Sequence, residues 1–408
     1  MDKRVFLVNA RFGRVVLGLV LIYILLFVMV FDAHAVITIR YAKQDGLITG
    51  ECASWAEACT LQRALEVAVA EQEVWVARGL YYPGTDPATS FVMKNGVAVY
   101  GGFVGTETQL TQRNWLANPT ILSGDIDHND TLKDANGIVT EVGGIQGTNS
   151  YAVLYASSVN ASAVVDGFVI NAGHSINEGG GVYVLGGNPT LRNLVISANK
   201  SLNYGAGLYN NSGSPTITNV AFRGNAVINN VAGGGMVNGG GSPTLSNVLF
   251  SGNRADFGGG FVSTGGSPTL INATFSGNIA SQGGAIDVWD GTTTLANSII
   301  WGNSSAIRGT VTSITNSIVQ GGYPGNLNVD PLFLAPRPHT NAPTTAGDYH
   351  LSDISPAIDA GTNSPVTSQA DLDGNPRILD GDGNGVSTVD MGAYEFQAYS
   401  LFLPLITR

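Results

Sequence analysis

Between Gly187 and Asn303 the chain repeats one short pattern of apolar and polar positions: GNPTLRNLVISAN, GSPTITNVAFRGN, GSPTLSNVLFSGN, GSPTLINATFSGN and GTTTLANSIIWGN. Pro189, Pro215, Pro243 and Pro268, with Thr293 in the fifth place, recur every 25 to 28 residues. A second phrase keeps the same step: GGGVY, GAGLY, GGGMV, GGGFV and GGAID, beginning at 179, 205, 233, 258 and 283. A fixed period of this size means a solenoid or an array. The copies carry no apolar stripe at helical spacing and are rich in Gly, Asn, Ser, Thr and β-branched residues, so each predicts short strands joined by tight turns. The reading is an all-β chain, a right-handed, single-stranded parallel β-helix with one coil per copy.

Leu245 and Phe250 are the bulky residues of the third copy, and a separation of five would put them on opposite faces of an unbroken strand. If both point inward, a bend lies between them. Asn247 occupies that bend, because Asn tolerates left-handed backbone. Asn193, Asn219, Asn272 and Asn297 hold the same position in the other copies, with Asp166 and Asn316 as outlying members. Stacked coils would align these amides into a structural ladder.

Less regular coils are expected from Val74 onward, at 74–77, 97–103, 120–125, 151–156 and 164–170. Upstream, Thr60 is placed to cap a short helix with Leu61, Ala64, Leu65 and Ala68 on one face, which would cover the open first coil. Between Ile126 and Gly147 the pattern lapses into a polar excursion with Asp127, Asp130, Asp134 and Glu141, read as a solvated loop.

Composition adds compartment and charge. Residues 1–35 read as a secretory signal: Lys3, Arg4, Arg11 and Arg14, a 17-residue apolar run from Val15 to Phe31, and cleavage expected after Ala33-His34-Ala35. The net charge of −11 becomes −13 once the signal's four positive and two negative charges are gone. An acidic chain excludes nucleic acid, which needs clustered Lys and Arg. Export permits a disulfide between the only cysteines, Cys52 and Cys59, closing a small loop that contributes about 2 to 3 kcal/mol. The tail at 398–408 is short and apolar, a sorting signal or a final strand.

The segments SWAEACTLQRAL (54–65), VYGGFVGTETQLTQRNW (99–115), TILSGDIDHND (120–130) and VDGFVINAG (165–173), with the repeats, resemble bacterial right-handed β-helix proteins of the pectin-lyase-like superfamily. NVDPLF (328–333), GDYHLSDISPAIDAG (347–361), DLDGNPR (371–377) and VDMGAYEFQ (389–397) resemble the choice-of-anchor Q region of such surface proteins. That resemblance implies a β-helix domain over 36–325 and an anchor-type region over 326–397 continuing the helix. The FSGN and GGAI tetrapeptides also resemble the repeats of polymorphic outer-membrane proteins, which implies adhesin-like roles.

Candidate chemistry is sparse. A glycosidase needs two carboxylates facing one sugar, and the regular coils offer only Glu178, Asp256, Asp287 and Asp290. Asp287 stands apart because it occupies the outward column held by Tyr183, Tyr209, Val237 and Val262, but one Asp is not a pair, so no catalytic set is assigned. His174 lacks the carboxylate and cation motifs that would accompany a polygalacturonase. Tyr183 and Tyr209, outward on adjacent coils if Val182 and Leu208 point inward, could form a platform for a sugar face. In LDGDGNGVSTVD, Asp380, Asp382 and Asn384 alternate ahead of Gly385, the first half of an EF-hand-type calcium loop. The twelfth position is Met391, with Asp390 one short, so a looser calcium site is the expectation. The functional expectation is a secreted or cell-surface protein with a structural, adhesive or glycan-binding role, its partner a polysaccharide or the glycans of a host or neighbouring cell. The alternative is a polysaccharide lyase or glycoside hydrolase.

Overall fold

The computed structural model describes residues 37–229 and 231–397, so the expected signal (1–35) and apolar tail (398–408) lie outside the described residues. Two long parallel sheets, of fourteen and eight strands, and a three-stranded one are built by stacking. Thr190–Ser197 pairs with Val164–Asn171 on one side and with Thr216–Arg223 on the other, without a register shift. Val182–Leu185 lies likewise between Leu154–Ser157 and Leu208–Asn211. Each repeat therefore pairs only with the copies before and after it, which makes the chain a parallel β-helix.

The bend is where the repeated Asn puts it. Asn193, Asn219, Asn247, Asn272 and Asn297 all have positive φ, between 51° and 56°, and Asn316 follows at 48°. In the coil before the regular copies the bend falls on Gly167 (φ 87°) and not on Asp166, whose side chain accepts from Asn193 and the Arg192 guanidinium. The bend lets Leu245, Val248 and Phe250 all point inward while Leu249 points out, and all four are buried. Phe222, Phe250 and Phe275 stack down the interior with ring centroids 4.6 Å apart and nearly parallel planes.

A second asparagine column runs down the inside. Asn199, Asn225, Asn253, Asn278 and Asn303 end each copy, after a Gly or Ala, and all are buried. Each side-chain amide donates to the carbonyl oxygen of the next, at 2.8 to 3.0 Å, and each backbone N–H donates to that same oxygen at 3.0 Å. These polar groups are buried without penalty because every link has a partner.

Both ends of the stack are closed. The helix Leu61–Val67 is capped by Thr60, whose side chain accepts from the Arg63 N–H at 3.3 Å, and it buries Leu61 and Ala64 against the first coils. Cys52 and Cys59 are bonded just before it. At the far end the Tyr323 hydroxyl donates to the Val311 carbonyl at 3.1 Å, laying its ring over the last interior residues.

Leu327 still bridges Ile318 in parallel, but residues 328–397 do not continue the helix expected over 326–397. Phe333–Ala335 with Asp348–Leu351, and Ile378–Leu379 with Thr388–Val389, form two separate antiparallel pairs outside the stack. Past Val319 the period is gone, and the stack ends in the single bridge of Leu327 on Ile318. Instead Phe333, Tyr349, Leu351, Met391 and Tyr394 cover the outward-facing Ala221, Leu249, Ile299 and Ile318 of the fourteen-stranded sheet. The outer Asn column supplies the docking bonds: the Asn247, Asn272 and Asn297 amides donate to the carbonyls of Ala370 (2.6 Å), Asp390 (3.0 Å) and Thr362 (2.9 Å). The ladder along this column is therefore partial. It runs from Asp166 through Asn193 and Asn219 to Asn247, then breaks where the C-terminal region takes over the amides.

Candidate functional site

The eight-stranded sheet has a face that the C-terminal region does not reach. Val182 and Leu208 point into the core, so Tyr183 and Tyr209 stand outward, and the register adds Tyr155 on the preceding coil. The three half-buried rings follow one another at 5.7 and 5.5 Å, tilted by 56° and 41°. Tyr204, from the loop before its strand, lies 6.1 Å from Tyr209 and nearly parallel to it. Burial, and then the nearby Glu178 carboxylate, raise the Tyr209 phenol above its ordinary pKa, so its hydroxyl is neutral at physiological pH.

The outward column is open only over the tyrosines. Val237 and Val262 are buried beneath Val231 and Phe257. Asp287 is fully buried as well: Arg308 Nε donates to its Oδ1 at 2.6 Å and Trp289 Nε1 to its Oδ2 at 2.8 Å. Both carboxylate oxygens are engaged, which corrects the expectation of an outward acid available for chemistry. The Arg308 guanidinium also lies 5.0 Å over the Phe257 ring, against which the Trp289 indole packs edge-on at 6.0 Å. His174 sits on the three-stranded side, where burial and then the Lys200 charge hold its pKa below the usual imidazole value.

Of the expected calcium ligands the structure brings together two. Asp380 and Asp382 meet Asp359, one carboxylate oxygen from each lying within 4.8 Å of the others. Asn384 turns back on the loop, donating to Asp382 Oδ2 and accepting from the Val386 N–H. Asp390 is buried elsewhere, accepting from the N–H groups of Asp359 (2.7 Å) and Phe396 (2.5 Å), and burial pushes its pKa up to about 6. Its oxygens are taken, so both residues leave the set and Asp359 joins it. One oxygen of Asp359 and one of Asp380 are shielded from solvent without a hydrogen-bond partner. Both Asp382 oxygens accept from Asn384, so only Asp359 and Asp380 keep a spare oxygen, and such hard carboxylates suit a calcium ion better than a softer metal.

A cleft of about 390 Å³ that sequence reasoning missed lies between the fourteen-stranded sheet and the C-terminal region. Trp115, Asp134, Asn193, Asn219, Arg223 and Tyr394 are among the residues that line it. Arg223 donates to the Tyr394 hydroxyl at 3.0 Å and to the Gly347 carbonyl at 3.3 Å. Asp373, on the rim, is bonded to His350 Nε2 at 2.5 Å while Asp348 holds Nδ1 at 2.5 Å. These bonds to Asp373 and Asp348 outweigh desolvation and raise the His350 pKa to about 9, so the imidazole is a cation at neutral pH. Arg223 carries the one visible signal, since it replaces the serines of ISAN and FSGN in its repeat column. The excursion at 126–147 contributes Asp134, Ile138 and Thr140 to the cleft wall, and Thr345 Oγ1 donates to the Thr140 carbonyl across it at 2.9 Å.

Neither a family model nor a curated protein sequence matches the chain. Among solved structures it is similar to the crystal structure of pectate lyase Pel9A, at 13% identity and a TM-score of 0.36, over 88% of this chain and 96% of that one. The fold assignment rests on the strand pairing. No residue role is taken from that likeness.

Proposed function

We propose that this is an exported β-helix protein that binds glycans on the bare face of its eight-stranded sheet, in an adhesive or structural role at a cell surface. The observation that carries the reading is the column Tyr155, Tyr183, Tyr209: three half-exposed rings in register on consecutive coils. A tyrosine offers a flat apolar body and a polar tip, which suits the apolar face and hydroxyl rim of a sugar. Export is supported by the apolar segment with its basic start and by the disulfide, and surface display by the choice-of-anchor Q and polymorphic outer-membrane protein resemblances. Calcium at Asp359, Asp380 and Asp382 would serve the C-terminal region as a structural ion.

A glycan array probed with residues 36–408 tests the reading. Binding without turnover is expected, and the Tyr183→Ala, Tyr209→Ala double variant loses about tenfold or more in affinity. Full binding by a folded double variant removes the tyrosine face. The second reading is a polysaccharide lyase or hydrolase, favoured by the cleft with Asp134, Arg223, Asp373 and Tyr394 in its lining. Shortened or unsaturated products in the bound fractions would establish it.

A further inference from the structure

Resting on the glycan reading above, we infer that the binding face is longer than its three tyrosines, running on through Tyr204 and Phe257 to Trp289, and that it takes an extended, uncharged polysaccharide chain. The two groups of rings are joined through one apolar cluster. Tyr204, Tyr209 and Phe257 all pack against the same buried cluster of Ala232, Val237 and Val262, and Trp289 packs on Phe257 in turn. This track crosses the coils in their stacking direction, from the strand Leu154–Ser157 to the strand Ile286–Val288 and the turn after it.

Trp289 is held in place for such a role. The residue is 42% exposed, yet its indole is oriented by the bond to Asp287, and Asp287 is fixed in turn by Arg308. An exposed indole costs the folded chain apolar surface in water, and one braced by a buried carboxylate that a half-exposed arginine holds loses little freedom on binding. Asp287 is thus a positioning residue for Trp289, which accounts for a buried acid in a column of Tyr and Val.

Charge selects the ligand class. Glu178, Asp256 and Asp290 lie on the segments that border the track, while the Arg308 cation is taken up by Asp287. Lys200 and Arg254 belong to the three-stranded side of the coil. An acidic polymer would meet like charge along the track, and an uncharged one would not. A chain long enough to reach both the tyrosines and Trp289 gains from joining two contacts in one molecule.

The test measures affinity of wild type, Trp289→Ala and the Tyr183→Ala, Tyr209→Ala variant for neutral linear polysaccharides (xylan, mannan, mixed-linkage β-glucan) and acidic ones (polygalacturonate, alginate). It adds fragments of the best neutral polymer, about three and about ten sugars long. Trp289→Ala is expected to weaken the longer fragment about tenfold and leave the shorter one unchanged, with Trp289→Phe retaining most of the affinity and unfolding temperatures matched throughout. Undiminished binding of the long fragment by Trp289→Ala, with loss in the tyrosine variant, overturns the longer track and leaves the glycan reading standing. Preference for polygalacturonate or alginate overturns the uncharged class. Failure of wild type to bind any of these polymers overturns both.

Discussion

The two long sheets of this solenoid both present apolar groups on their outer faces, and only one is roofed. On the fourteen-stranded sheet Ala221, Leu249, Ile299 and Ile318 point outward and are buried by the returning C-terminal region. On the eight-stranded sheet Tyr155, Tyr183 and Tyr209 point outward with no such cover. The roof explains its own face completely, because the outward aliphatics belong to an intramolecular core. Among the described residues the bare face has no internal partner, and the amphipathic rings there, with Trp289 beyond them, are what a surface meant for an external ligand requires. The two faces are also held differently. The coils rely mainly on neutral amide ladders and stacked rings, with ion pairs at single rungs such as Asp287–Arg308, whereas the roof is centred on charge: Arg377 is fully buried and donates to the carbonyls of Asp390 and Gly392, with Glu395 3.7 Å from its Nε.

That difference can be broken at several levels. The largest effect is expected from Arg377→Ala, which leaves Asp371, Asp390 and Glu395 buried without their cation and costs on the order of 3 to 5 kcal/mol. Hydrogen exchange should show residues 326–397 opening while the coils keep their protection. Next comes Asn253→Leu in the inner column, about 2 to 4 kcal/mol, because it strands the partners on both neighbouring coils. Asn247→Leu in the outer column costs less, about 1 to 3 kcal/mol, and thermal unfolding of the pair decides whether the inner ladder is the stronger.

A pH scan separates the two regions without mutation. In the folded chain burial, followed by repulsion from Asp390, raises Glu395 to about 8, Asp390 stands at about 6, and His350 keeps its proton to about 9. Unfolded, the two acids release theirs near about 4 and the imidazole near about 6.5. The folded state therefore binds more protons between these limits, and its stability falls as the pH rises through the window. The unfolding temperature of the roof should drop from pH 6 to pH 10 while the protection of the coils changes little. The smallest effect is a rise of the unfolding temperature by a few degrees in millimolar calcium over chelator, abolished by Asp359→Ala with Asp380→Ala. Equal temperatures with and without calcium remove that site.

The coils were legible because a solenoid writes its geometry into a period: the step fixes the coil, and the recurring Asn fixes the bend. The inner ladder was equally visible, as the last residue of ISAN, FRGN, FSGN and IWGN, but an Asn after Gly reads as an ordinary turn until its burial is known. The tyrosine column followed from alternation. The roof did not, since Asp371, Arg377, Asp390 and Glu395 are brought together by tertiary packing that no local spacing encodes. Asp390 was for that reason read as a calcium ligand when it is a buried acceptor, and Asp287 as an outward acid when Arg308, a coil away, covers it.

Hydroxyl-radical footprinting of residues 36–408, with and without the glycan that binds best, tests the contrast between the two faces most directly. Protection of Tyr155, Tyr183, Tyr209 and Trp289, with Trp115 and Tyr394 unchanged, is the predicted result. Protection of Trp115 and Tyr394 with the tyrosine column unchanged would contradict it, and would move the ligand to the cleft beneath the roof.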